Sequence, residues 1–169
     1  MPTDTTTALR TLTFTVPGRP VPKVRMTQRS KWSPKAQACL KYQGRVRLCA
    51  FVAANEAGLV PKNMRRNDSV FTVPVRVDWI AYISKQRGVP DKDNIEKSLC
   101  DGLQPEIVRD DNITRVPQGS GDVIYGVPEK EQRVEIVVTE LTEGVAEYMR
   151  AAIWDALECV KRLNLEGTP

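Results

Sequence analysis

Residues 71–103 read FTVPVRVDWIAYISKQRGVPDKDNIEKSLCDGL. In the first part, Val73, Val75, Val77, Trp79 and Ala81 recur at every second position with Arg76 and Asp78 between them, the period of a strand with one buried face. A strand over Phe71–Ile83 is expected. In the second part, Ile95, Leu99 and Leu103 stand four apart, the spacing of a buried helical stripe. A short helix over Asn94–Leu103 follows, with Asp93 as its N-cap and Pro105 preventing its continuation.

Working outward, Thr11–Val16 alternates and is rich in β-branched residues, so it reads as a strand stopped by Pro17-Gly18. Pro17, Pro20 and Pro22 then hold a stiff, basic arm extended to about Trp32. Ser33-Pro34 is an N-cap followed by proline at the first helical position, and Ala38, Val46, Leu48, Cys49, Val52 and Ala53 carry a helix on to Gly58. After the long central stretch, strands over Val123–Val127 and Arg133–Leu141 are joined by the charged turn Pro128–Gln132 and read as a hairpin. From Glu143 to Leu163, Val145, Met149, Ala152, Ile153, Ala156 and Val160 share one helical face. The fold class is therefore α/β (α+β): a small mixed sheet in the order β-α-β-α-β-β, plus an additional C-terminal helix. The expected organisation is a flexible segment over 1–10, one domain over 11–141 and a helical extension over 142–169, packed on the domain or on a dimer partner.

Composition narrows the chemistry. The chain has no histidine, which excludes Cys-His zinc sites, Ser-His-Asp triads and nucleases that use imidazole as general base. Cys39, Cys49, Cys100 and Cys159 are scattered without a close pair and read as free thiols. No apolar run approaches the roughly 20 residues needed to span a bilayer, so a soluble, cytoplasmic protein is expected. The net charge of +4 is unevenly spread: residues 5–67 hold 13 Lys and Arg against the single acid Glu56, while residues 68–169 hold 12 against 19 acids. One part of the chain is suited to grip a polyanion and another to process it. Taken alone, a basic run is more often just a solvated face.

The candidate site is Pro90-Asp91-Lys92-Asp93-Asn94-Ile95-Glu96-Lys97, with Asp110-Asp111 further on. With ten Asp in 169 residues, an Asp-x-Asp pair decides little by itself. In an extended lead-in to the helix, however, Asp91 and Asp93 point to the same side and can share one cation. Lys97 lies one helical turn beyond Asp93, on the face opposite the buried stripe. Clustered carboxylates repel unless a hard cation joins them, and Mg²⁺ (with Mn²⁺ as substitute) suits oxygen-only ligands. Such an ion acidifies a bound water, and Lys97 would offset charge building on a phosphate. Structural roles compete at each position: Asp93 as a plain N-cap, Lys97 in a salt bridge to Asp93 or Asp101, and Asp110-Asp111-Asn112 as a turn.

In order, these pieces resemble the RusA family of Holliday-junction resolvases. The family signature, Asp-x-Asp-Asn-(Leu/Ile)-x-Lys followed by Asp-(Ala/Gly)-Leu and Asp-Asp, is met by Asp91, Asp93, Asn94, Ile95, Lys97, Asp101, Gly102, Leu103, Asp110 and Asp111. The segment Pro17-Gly18-Arg19-Pro20-Val21-Pro22-Lys23-Val24-Arg25 is similar to the family's proline and basic segment after its first strand. The resemblance runs from about Thr11 to Leu141 and leaves out the C-terminal helix. It implies Asp91, Asp93 and Asp111 as metal ligands, with Asp110 the second choice for the last, and Lys97 as the catalytic lysine. It also implies a bacterial or phage-encoded homodimer that binds four-way DNA junctions and nicks two opposing strands. Arg19, Lys23, Arg25, Arg29 and Lys31 would then hold phosphates without reading sequence. Trp32 could stack on an exposed base at the branch point, although a tryptophan beside a helix start is more often packed.

Three other readings compete. The same chemistry could act on flaps or forks, and sequence does not separate these substrates. A non-catalytic DNA-binding protein would not need three acids and a lysine. A manganese-dependent sugar-nucleotide transferase fits the basic arm and small size poorly. An EF-hand fails, since its loop needs Asp or Asn at Ile95 and glycine at Glu96.

Overall fold

The computed structural model describes residues 9–65, 68–84, 91–109, 116 and 118–141. Strand β1 (Thr11–Pro17) leads through the proline arm and a 3-10 turn (Ser30–Trp32) into helix α1 (Pro34–Glu56). Strand β2 (Val75–Ile83), helix α2 (Lys92–Leu103), strand β3 (Gln118–Tyr125), a second 3-10 turn (Glu129–Glu131) and strand β4 (Arg133–Glu140) follow. The expected small mixed α/β fold is what the chain adopts, while the helix expected over 143–163 lies outside the described residues.

The start of α1 is as its sequence dictates: the Ser33 hydroxyl accepts the Ala36 N–H at 3.3 Å, and Pro34 occupies the first turn. The helix ends two residues earlier than expected, with Gly58 just beyond it at φ 67°. Its buried stripe also differs, being Ala36, Cys39, Tyr42, Val46, Ala50 and Ala54, so Leu48 and Val52 face outward. Strand β2 begins at Val75, not Phe71. Pro74 lacks the donor a ladder needs, and Phe71 instead makes an isolated parallel bridge to Val108.

The sheet order is β1-β4-β2-β3, with β2 and β3 parallel and the other two pairs antiparallel. The hairpin expected between the last two strands is therefore absent. Helix α2 is the crossover of a β-α-β unit and returns the chain parallel to β2 on its outer side. Strand β4 then inserts between β1 and β2, where Val134, Ile136 and Val138 are all fully buried. Strand β3 ends at Tyr125, before the expected Val127, where Gly126 turns at φ 88° and donates to the Ile83 carbonyl at 2.9 Å.

The core fills from one face of this sheet, with Leu12, Phe14, Val16, Val77, Trp79 and Ile136 packed beneath Val46, Ile95, Leu99 and Leu103. The two helices lie side by side and run in the same direction: Cys39 Sγ is 3.9 Å from Ser98 Oγ, Gln43 donates to Asp101 at 2.8 Å, and Gly102 packs under Val46. A Cβ on Gly102 would fall 2.7 Å from the Val46 Cβ, so this close approach requires glycine. Among the described residues no helix is long and apolar enough to cross a membrane, and Cys39 and Cys49 are free thiols.

Candidate active site

Helix α2 starts earlier than expected, and this changes the roles of the two aspartates. Asp91 occupies the N-cap position in an extended conformation, φ −60° and ψ 138°, and its carbonyl accepts the Asn94 and Ile95 N–H groups at 3.0 and 3.1 Å. Its side chain makes no capping hydrogen bond. Asp93 stands inside the first turn rather than at the cap, so the two side chains do not share the alternating side of an extended lead-in. Neither carboxylate is consumed by holding the helix start.

The charges around them are assigned elsewhere. Lys92, between the two aspartates, reaches across to β3 and pairs with Asp122 at 2.6 Å. That hydrogen bond, with help from the Val123 N–H, holds the Asp122 carboxyl below its usual range, and it raises Lys92 in turn. Asp101 is taken by Lys23 at 2.8 Å and by the Gln43 amide at 2.8 Å. Lys97 consequently has neither of the salt bridges that would have given it a structural role. Among the described residues, the side chains of Asp93, Glu96 and Lys97 have no hydrogen-bond or ion-pair partner.

These three unpaired groups meet on one wall. Asp93, Glu96, Lys97, Cys100 and Val116 line an open cleft of about 220 Å³. The i, i+3 and i+4 spacing from Asp93 places them within one turn on one helix face, while Ile95, Leu99 and Leu103 are buried on the other. Glu96 was not among the expected site residues, yet its spacing from Asp93 is readable in the sequence. The β3 backbone approaches closely here: a Cβ on Gly119 would fall 2.6 Å from the Val77 carbonyl oxygen and 3.3 Å from Glu96 Oε1.

Asp91 is exposed at the helix start and is not among the described lining residues. Asp110 and Asp111 lie outside the described residues. Among the described residues no three acidic, cysteine or histidine side chains are grouped closely enough to hold a metal ion. The donors that do meet, the Asp93 and Glu96 carboxylates, are oxygen-only and unneutralised, which fits a hard divalent cation.

The basic arm runs beside this helix. The Gly18 N–H, at φ 89°, donates to the Gln132 carbonyl at 2.7 Å, and the Lys23 N–H donates to the Asn94 carbonyl at 2.7 Å, one residue past Asp93. Lys23 thus ties the arm to α2 through both its backbone and its ammonium. Arg25 and Arg29 are exposed, Arg19 and Lys31 half-buried, and the Lys31 ammonium sits 5.2 Å from the centre of the Trp32 ring. Trp32 is not packed but is 72% exposed.

No curated relative matches the sequence. The family described as Endodeoxyribonuclease RusA matches residues 17–139, from the proline arm through the site helix to the end of β4, which is more than half of the chain. Joined to an acidic helix start, a lysine one turn on and a basic arm pinned beside them, that match places the chain in the RusA family of endodeoxyribonucleases.

Proposed function

We propose that this RusA-family chain is a Mg²⁺-dependent, structure-selective endonuclease that resolves four-way DNA junctions by paired nicks. The observation that carries this reading is the unpaired set Asp93, Glu96 and Lys97 on one cleft wall, beside a lysine-rich and arginine-rich arm. Ionic side chains left without partners on a folded surface fit a site whose partners arrive with substrate. Asp91, Asp93 and Asp111 would hold the ion, with Asp110 in place of Asp111 as the other choice. Arg109 and Val116 bound the segment that carries these two, and Val116 lines the cleft.

When bound, such an ion supplies Lewis acidity and an acidified water. The chain's own contribution is positional and electrostatic. Lys97 offsets negative charge accumulating on the attacked phosphate. Arg19, Arg25, Arg29 and Lys31 hold phosphates along the arm, and Lys23 keeps the arm against α2. The experiment is cleavage of a synthetic four-way junction with Mg²⁺, with Mn²⁺ and with chelator, beside linear duplex, flap and fork controls. Junction cutting that vanishes with chelator is the expected result. Faster cutting of flaps or forks would reassign the substrate, and binding without cutting in either metal would leave a non-catalytic DNA-binding protein.

Paired cuts on opposing strands call for two sites related by symmetry, so a homodimer acting in the bacterial or phage-infected cytoplasm belongs to the same proposal. Light scattering should then give about twice the chain mass of 18.9 kDa. A value near one chain mass, at concentrations where junctions are cut, would refute it.

A further inference from the structure

We infer that Trp32 is a stacking platform for an unpaired DNA base held beside the cleft. Trp32 is 72% exposed, whereas Trp79 is only 3% exposed. An indole left in water forgoes a large burial gain and keeps apolar ring surface available for contact. Its support is well built. The Thr27 N–H donates to Ser30 Oγ at 2.8 Å, and the Ser30 N–H donates to Thr27 Oγ1 at 3.2 Å. Gln37 donates to the Lys31 carbonyl at 2.9 Å, and the Ser33 N–H closes the turn on the Ser30 carbonyl at 2.9 Å. The ring is thus presented from an ordered turn, and little backbone entropy remains to be lost when something stacks on it.

Position and charge identify the partner. Helices α1 and α2 run in the same direction, so their starts lie at the same end of the pair. Stepping back from Cys39 to Ser33 covers about 9 Å, and from Ser98 to Asp93 about 7.5 Å. Trp32, immediately before Ser33, therefore stands at the Asp93 end. Around it Arg29, Lys31 and Lys35 are basic, and no acidic residue occurs anywhere from Thr5 to Asn55. A flat aromatic face among cations matches a base flanked by phosphates. Within a duplex both faces of each base are already stacked, so a face is free only where strands branch or separate.

The inference deepens the nuclease reading by giving the chain a way to tell branched from linear DNA. Its test uses the full-length protein in chelator, with a fluorescent adenine analogue placed at the branch point of a four-way junction. Wild type should quench the analogue and bind the junction more tightly than linear duplex. Trp32→Ala should lose the quench and about tenfold of the junction affinity while leaving duplex affinity unchanged, and Trp32→Phe should recover most of both. Equal affinity losses on junction and duplex, or none on either, would overturn the stacking role. So would binding to phosphatidylserine vesicles with no quench of the analogue, which would assign Trp32 to a membrane surface. If Trp32→Ala binds and cuts junctions like wild type with Mg²⁺, stacking fails and the nuclease reading stands. If wild type cuts no branched DNA yet quenches the analogue through Trp32, stacking stands and the nuclease reading fails.

Discussion

Asp93→Asn should abolish junction cutting, by about a thousandfold or more, while junction affinity stays unchanged or rises slightly. Groups that merely orient a metal's ligands are worth roughly 10–100-fold, and a ligand itself should cost more. The substitution keeps shape and removes charge, so an ion would lose its anionic donor without any change in packing. The fold should barely notice, since the Asp93 side chain has no partner among the described residues and is exposed on α2. An acid in the first helical turn contributes roughly 0.3–1 kcal/mol through the helix dipole, and that is the stability loss expected. DNA affinity should not fall, because a negative charge beside a polyanion has gone. Single-turnover cleavage, a binding titration in chelator and a thermal melt together check all three parts. Cutting at the wild-type rate would take Asp93 out of the site, and a collapse of the melt would mean that it serves the fold instead.

Gly121→Val should be the most damaging single change to the fold, lowering stability by about 3 kcal/mol or more. Gly121 on β3 stands opposite Trp79 on β2, and a Cβ there would overlap the indole ring. Trp79 is 3% exposed and belongs to the main core, so its ring cannot swing into solvent without opening the sheet. Overpacking at a site walled by a large ring leaves only displacement of the strand. For a chain of this size the melting temperature should fall by about 10 °C. Displacing β3 would also disturb the Lys92–Asp122 brace and the cleft floor at Gly119, so cleavage should fall along with stability. An unchanged melting temperature would mean that the indole has room the packing does not show.

Much of the local structure was legible because it depends on neighbours in the chain. Ser33-Pro34 marks the start of α1 through a hydroxyl and a preset φ, and the alternation from Val75 to Ile83 marks β2. Where a boundary depends on distant contacts, the local sequence leaves it open. Helix α2 was expected to begin after Asp93, yet the structure caps it at Asp91; both positions hold a residue type suited to an N-cap, so the local sequence does not choose between them. The buried face of α1 is left open for the same reason. Leu48 and Val52 are as apolar as Val46, and only the location of β1 and α2 decides which stripe is buried.

The sequence by itself determined the fold class, the absence of any imidazole chemistry, the separation of a basic arm from an acidic half, and the signature that carries family membership. These depend on composition, period and short-range spacing, which survive any arrangement of the elements. Only the tertiary structure decided that β4 inserts between β1 and β2, that Lys92 turns away to Asp122, that Lys23 occupies Asp101, and that Glu96 joins Asp93 and Lys97 on one wall. The reason is physical: which charge pairs with which, and which edge a strand finds, is settled by competition among residues far apart in the chain, and that competition leaves no local trace.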